Sequence, residues 1–289
     1  MCSNREQRTK QKLTGTEIIK WILYADDIVL FARTVQEAEA VLNILHTTCQ
    51  RFGLNISFKK TKTQVFNDET LAAKTTLLTI EEHAIENVRE FTYLGHVFSN
   101  QSATPSIEHR TSRANAKFHQ LKEVLCDTKV NLRTRWKLLE ACVVPRLLYG
   151  MQACFPNEDQ LKKIESCWFQ ILRSMIRGGW RRVSDDPENP DYRFVYSNAD
   201  LERILKTKPI RGIARSWNLR YFGHVCRDTN VSLTKKMMFA APQRRYYRDP
   251  WRKMAADTGV EREQLLKMTQ NRPTFRSFCA SVQESLQAR

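Results

Sequence analysis

The chain has 289 residues, 42% of them apolar and 27% charged, with a formal net charge of +16. Such a composition excludes a disordered, collagenous or low-complexity chain, and at ~100–200 residues per domain the length admits two modules. No uncharged apolar run of ~18 residues is present to span a bilayer, and the polar start Met1-Cys2-Ser3-Asn4 lacks a signal-peptide core, so the expectation is an intracellular protein with no membrane partner, nuclear or cytoplasmic.

Ile18 to Ala25 is β-branched and aromatic, Ile28 to Ala32 is a second apolar run, and Asp26-Asp27 stands between them. Two strands around a two-residue polar tip read as a β-hairpin. The pair Thr34-x-x-Glu37 then opens a helix as a capping box. Its apolar stripe is Val35, Ala38, Leu42, Leu45, Cys49 and Phe52, and Gly53 is placed to end it. Short strands are expected at Gln64–Phe66, Leu77–Ile80 and Phe91–Phe98.

Beyond Thr104-Pro105 the pattern turns helical. Ile107, Thr111, Ala114, Phe118, Leu121 and Leu125 form one stripe. A second helix, about 132–149, should bend at Pro145, and a third shows Leu161, Ile164, Trp168, Ile171 and Met175 before Gly178-Gly179. Residues 184–200 are acidic and proline-containing and read as a linker loop. Ile210, Ile213, Trp217, Tyr221 and Val225 make a further face, with Trp136, Trp168 and Trp217 expected in the core. The fold class is therefore α+β: a partial β-rich module at 1–104, helices at 105–183, a linker at 184–200 and a basic helical region at 201–289.

Eight cysteines contain no C-x-x-C pair, and four lie in apolar helical patterns. That usage points to free thiols rather than disulfides or a zinc site. Charge is segregated: residues 1–104 carry 12 basic and 12 acidic groups, residues 105–200 carry 16 and 12, and residues 201–289 carry 19 and 7. The last segment so holds +12 of the +16, which favours a polyanionic partner such as nucleic acid over a merely solvated surface.

Adjacent carboxylates on a rigid hairpin tip are suited to hold Mg²⁺, which takes hard oxygen ligands together with substrate phosphates. A solvated turn is the competing reading. Tyr24-Ala25-Asp26-Asp27 between apolar strands resembles the catalytic box of reverse transcriptases. Phe52-Gly53-Leu54-Asn55-Ile56 through Lys59-Lys60-Thr61-Lys62 resembles the following palm motif, and Phe91-Thr92-Tyr93-Leu94-Gly95-His96 the primer-grip strand of the non-LTR (LINE-type) retrotransposon enzymes. Arg220-Tyr221-Phe222-Gly223-His224-Val225 resembles a segment often found past the thumb in these elements.

The resemblance implies that 1–104 is part of a palm, 105–183 a thumb, and the activity RNA-directed DNA polymerisation by two-metal nucleotidyl transfer. It implies Asp26 and Asp27 as Mg²⁺ ligands and Lys60 as a proton donor to departing pyrophosphate. Tyr24 would lie near the primer end, and Tyr93, Leu94 and Gly95 would form the primer grip. RNA template, DNA primer and deoxynucleotides would be the partners. The family also needs another metal-binding Asp upstream of the hairpin, together with fingers, and residues 1–25 contain no Asp; the expectation is a fragment with little or no activity alone.

Arg181 and Arg182, beside Gly178-Gly179-Trp180, are candidate nucleic-acid contacts. So are Arg244, Arg245, Arg248, Arg252 and Lys253, interleaved with Tyr246, Tyr247 and Trp251. A non-catalytic nucleic-acid-binding remnant is the main alternative, and a decayed element without a selected role is the third.

Overall fold

The structure, a computed structural model, describes residues 20–99, 104–154, 156–177, 180–182, 192–229, 232–239 and 250–285. It divides into two compact units, Met1–Pro105 and Ser106–Arg289.

In the first unit, β1 (Trp21–Tyr24) and β2 (Asp27–Leu30) form an antiparallel hairpin. Helix α1 (Val35–Arg51) follows, with Thr34 Oγ1 accepting from the Glu37 N–H at 3.1 Å. At its far end Gly53 adopts φ +71°; the Gly53 N–H bonds the Gln50 carbonyl and the Leu54 N–H that of Cys49, the pairing that satisfies orphan carbonyls at a glycine-terminated helix. Phe52, expected on the buried stripe, is the C-terminal cap and 78% exposed, because the chain leaves the helical path there. His46 is buried in its place beside Leu42.

Strand β3 (Lys62–Thr63) pairs in parallel with β5 (His83–Asn87), which pairs antiparallel with β4 (Thr76–Ile80). Leu42, Leu78, Ile80 and Ile85 make the small core, with Leu30, Val35, Ala38 and Phe58 against it. Residues 91–98, expected as one strand, are instead a hairpin of β6 (Glu90–Tyr93) and β7 (His96–Ser99).

The second unit opens on α2 (Thr104–Gln120), which buries Ile107, Ala114 and Phe118. Helix α3 (Leu132–Cys142) stops short of Pro145, and a single turn, Val144–Leu147, carries that residue. Helix α4 (Glu158–Met175) has Asn157 and Gln160 in a reciprocal capping box. Trp168, 1% exposed, meets Trp136 edge-on at 5.9 Å. Buried Arg135 donates to the carbonyls of Val130 (3.0 Å), Leu125 (3.3 Å) and Met175 (3.1 Å), so one guanidinium satisfies two helix ends and a loop carbonyl.

The stretch read as a linker contains β9 (Tyr192–Phe194), paired with β8 (Trp180–Arg182), and Ser197, which caps α5 (Asn198–Leu205). Its acidic part, 184–191, lies outside the described residues. Helix α6 (Ile210–Arg227) connects two cores: Ile210 and Ala214 belong to one built on α2, α3 and α4, and Leu219, Phe222 and Cys226 to another. Helices α7 (Leu233–Phe239), α8 (Pro250–Thr258), α9 (Arg262–Gln270) and α10 (Arg272–Ser285) complete the unit.

The expected face of α6 is displaced. Ile213, Trp217 and Tyr221 are only half-buried, whereas Gly212, Ser216, Asn218 and Gly223 are buried. Small residues take the close contacts because α10 approaches so tightly: a Cβ on Gly212 would stand 2.6 Å from the Gln283 carbonyl oxygen, and one on Gly223 would stand 2.1 Å from the Phe275 ring. Ser216 Oγ donates to the Cys279 carbonyl at 3.0 Å. Gly223→Ala should therefore destabilise the chain by about 1–3 kcal/mol through overpacking, with partial recovery in Gly223→Ala/Phe275→Leu. Urea unfolding would show this as a lower midpoint for the single variant; an unchanged midpoint would mean the helices do not pack as described.

Candidate active-site hairpin and nucleic-acid interface

The hairpin tip is displaced by one residue from the expected one. Tyr24 pairs with Asp27 across the ladder, so the two turn residues are Ala25 and Asp26. Ala25 has φ +53°, a conformation with a steric cost for a residue bearing Cβ. Asp26 is thus at the apex and Asp27 opens β2, on the same face as its cross-strand neighbour Tyr24. Both carboxylates are exposed, and no hydrogen bond or ion pair to another described residue engages either.

A second acidic pair provides a contrast. Glu81 and Glu82 form the β4–β5 tip, both with positive φ (+45° and +67°). Glu81 accepts from Gln50 Nε2 at 3.0 Å and lies 3.1 Å from His46 Nε2. The Gln50 hydrogen bond, then that from His46, holds its carboxyl below the usual range. That tip is fastened to α1 and has a structural use for its charge; the Asp26-Asp27 tip has none among the described residues.

The hairpin is apolar yet open to solvent: Trp21, Leu23 and Tyr24 are 59%, 60% and 62% exposed. Lys60 is exposed in a turn whose Lys60 and Thr61 N–H groups bond the Ser57 carbonyl. It makes no ion pair with Asp26 or Asp27 among the described residues. Its neighbour Lys62 instead pairs with Glu86 at 2.5 Å across β3 and β5.

Tyr93, Leu94 and Gly95 do not continue a strand. Tyr93 ends β6 and pairs with His96, and Leu94 (φ +48°) and Gly95 (φ +77°) make the tip. Gly95 is required by its dihedral, and Leu94 is strained by its own. The Tyr93 hydroxyl is buried without a hydrogen-bond partner among the described residues.

Arg181 and Arg182 lie in β8 opposite Arg193 and Tyr192. Their side chains, the side chain of Lys253, and all of Arg244, Arg245 and Arg248 lie outside the described residues. Arg252 is exposed on α8. Trp251, expected to intercalate with these charges, stacks on Phe239 at 5.1 Å, meets Phe222 edge-on at 4.7 Å and has Arg262 4.9 Å from its centroid. It is packing for the second core, not a platform for bases.

Exposed carboxylate oxygens are the donors Mg²⁺ takes. A two-metal site needs more than two of them from one turn, and among the described residues no three His, Cys, Asp or Glu side chains converge. The residues present do not by themselves fit a two-metal centre. The seven described cysteines are free thiols, with Cys167, Cys226 and Cys279 each pushed up to about 11 by burial, which leaves them protonated and inert. Among the described residues no helix is long and apolar enough to cross a membrane.

The structure thus has an apolar hairpin bearing paired aspartates before a capped helix. Residues 4–98, about a third of the chain, match the family reverse transcriptase (RNA-dependent DNA polymerase). An uncharacterized transposon-derived protein of Caenorhabditis elegans is 29% identical over 219 residues, covering 74% of each chain. No solved structure matches significantly. The first third of the chain is thus similar to reverse transcriptases, and about three quarters of it to a transposon-derived protein.

Substitutions at the β6–β7 tip separate a turn from a strand. Gly95→Val should lower stability by about 1–2 kcal/mol because left-handed backbone is costly for a β-branched residue, while Leu94→Asn should raise it slightly. Thermal unfolding of the full chain reads both; a stabilising Gly95→Val would instead indicate a continuous strand.

Proposed function

We propose that the chain is an RNA-directed DNA polymerase-like protein of the non-LTR type, in which Asp26 and Asp27 supply part of a Mg²⁺ site. Such a site requires further acids, and the described residues bring none to the tip. Alone, the chain binds primer–template nucleic acid and does not extend it. The observation that carries this reading is the Asp26-Asp27 tip, exposed on an apolar hairpin without a structural partner among the described residues, within the segment that matches the reverse transcriptase family. Tyr24, on the Asp27 face, would lie near a bound primer end. Lys60 is a candidate proton donor that would have to reach the site from its own turn.

A non-catalytic nucleic-acid-binding role is the second reading. It is favoured by the +12 charge of residues 201–289 and by the two-carboxylate limit of the tip. Backbone contacts position a duplex without reading its sequence, which is the behaviour both readings require of the second unit.

Primer extension on an RNA template with Mg²⁺ and deoxynucleotides, run beside a binding titration, tests the proposal. The expected result is salt-dependent binding, no extension, and less than about twofold change in Kd for Asp26→Asn/Asp27→Asn, since exposed phosphate contacts lie elsewhere. Extension that disappears in the double variant would refute inactivity but keep the aspartates as ligands. Extension that survives it would remove them from the site.

A further inference from the structure

Helix α6 carries four arginines and no acid, and the structure divides them between two faces. Arg211 and Arg215 each reach a Glu158 oxygen at 2.6 Å, with Glu165 3.9 Å from Arg211 and Asp257 3.7 Å from Arg215. These two are neutralised, and they fasten α6 to α4 and α8.

The other two lie on the α10 side. Arg227 donates to the Thr269 carbonyl at 2.8 Å and lies over the Phe275 ring. Arg220 is exposed, and no carboxylate of a described residue comes within 4 Å of its guanidinium. The contacts Gly212–Gln283, Ser216–Cys279 and Gly223–Phe275 run in opposite directions along the two helices, so α6 and α10 are antiparallel. At 3.6 residues per turn, Arg220 and His224 stand about 60° and 100° round α6 from that contact line. Arg272 and Arg276 stand about 20° and 60° round α10 from the line through Phe275, Cys279 and Gln283, in the same rotational sense.

In antiparallel helices an equal sense of rotation leads to the same flank. The four side chains therefore share one ridge, all of them exposed. The charges of Arg220 and Arg227 both act on the Cys279 thiol, which places them near it.

Neither 210–227 nor 272–283 contains an Asp or Glu. The acid of α10, Glu284, comes eight residues beyond Arg276, near the end of that helix. The next acid after α6, Asp228, is held by the Ser232 hydroxyl and by the Thr229 N–H at 2.9 Å, which keep its carboxyl below the usual range, and it also interacts with His224 one turn back, so among the described residues the three arginines carry the uncompensated charge of the ridge. The nearby rings are already in use, since Phe275 is buried and Trp217 packs on the first core. A ridge of guanidinium forks without a stacking ring suits phosphate oxygens rather than unpaired bases.

We propose that the α6–α10 flank bearing Arg220, His224, Arg272 and Arg276 is a binding site for the phosphodiester backbone of a nucleic-acid duplex, separate from the hairpin. The proposal rests on the nucleic-acid reading above and adds to it a location. It also gives the segment Arg220–Val225 two uses: Phe222, Gly223 and Val225 pack inward, while Arg220 and His224 face the ligand.

Fluorescence anisotropy of the full chain with a short mixed-sequence RNA–DNA duplex, across a sodium chloride series, tests it. Arg220→Gln/Arg272→Gln/Arg276→Gln should weaken binding about tenfold or more and flatten the log–log salt slope by about two to three, one for each lost phosphate contact. Lys129→Gln/Lys162→Gln/Lys206→Gln, which removes equal charge elsewhere, should leave the slope nearly unchanged. The corresponding triple Arg→Lys variant should keep fold and slope, which guards against loss through misfolding. Wild-type binding that the Gln triple leaves intact would overturn the ridge while sparing the broader reading. A wild-type chain that binds no duplex would overturn both, and binding through these arginines to phosphatidylserine vesicles but not to duplex would overturn the assignment of ligand.

Discussion

The close approach of α6 and α10 determines how the second unit presents its charge. Gly212, Ser216 and Gly223 carry almost no side chain where the helices touch, so a carbonyl and an aromatic ring occupy the space a larger residue would fill. That contact sets the rotation of α6 about its axis. Rotation in turn decides which arginines meet Glu158 and Asp257 and which are left facing solvent. Buried Asn218, donating to the Met151 carbonyl at 2.5 Å, locks the same setting from the first core. Because an unpaired polar group in such a place is costly, the helix has little freedom to turn.

The first unit depends on a different constraint, the backbone geometry of two-residue turns. Three hairpin tips in it place residues bearing Cβ at positive φ: Ala25, Glu81 with Glu82, and Leu94. The Glu81 tip is compensated by its bonds to α1, and the Leu94 tip by Gly95 beside it. The Asp26 tip has no such compensation among the described residues, and its strands expose Trp21, Leu23 and Tyr24 on a two-stranded sheet. Isolated hairpins are marginally stable in water. Backbone strain and exposed acid coincide at this tip among the described residues, and that coincidence motivates the proposed active-site role.

Much of this was legible in the sequence where one residue type has one dominant physical use. Thr34 and Gly53 marked the ends of α1, and Ile107, Ala114 and Phe118 marked the inner face of α2. The reading failed where the deciding feature was a dihedral or a close contact. Nothing in Ala25 or Leu94 announces positive φ, so one tip was displaced by a residue and another was read as strand. On α6 the buried face is made by Gly, Ser and Asn, which hydrophobic periodicity passes over in favour of Trp217 and Tyr221. Trp251 sat among basic residues in sequence and turned out to complete an aromatic cluster. For the candidate site, the acid pair and the family resemblance were readable from local order, whereas the division of arginines into paired and unpaired sets needed helices distant in sequence.

The division of charge on α6 is the claim most open to direct measurement. Arginine-directed covalent modification of the full chain, read by mass spectrometry with and without a primer–template duplex, reports each guanidinium separately. Arg220, Arg272 and Arg276 should react readily in the free chain and be protected by the duplex, while Arg211 and Arg215 should react slowly in both states because Glu158 holds them. Equal reactivity of all five in the free chain, or protection falling on Arg211 and Arg215 instead, would contradict it.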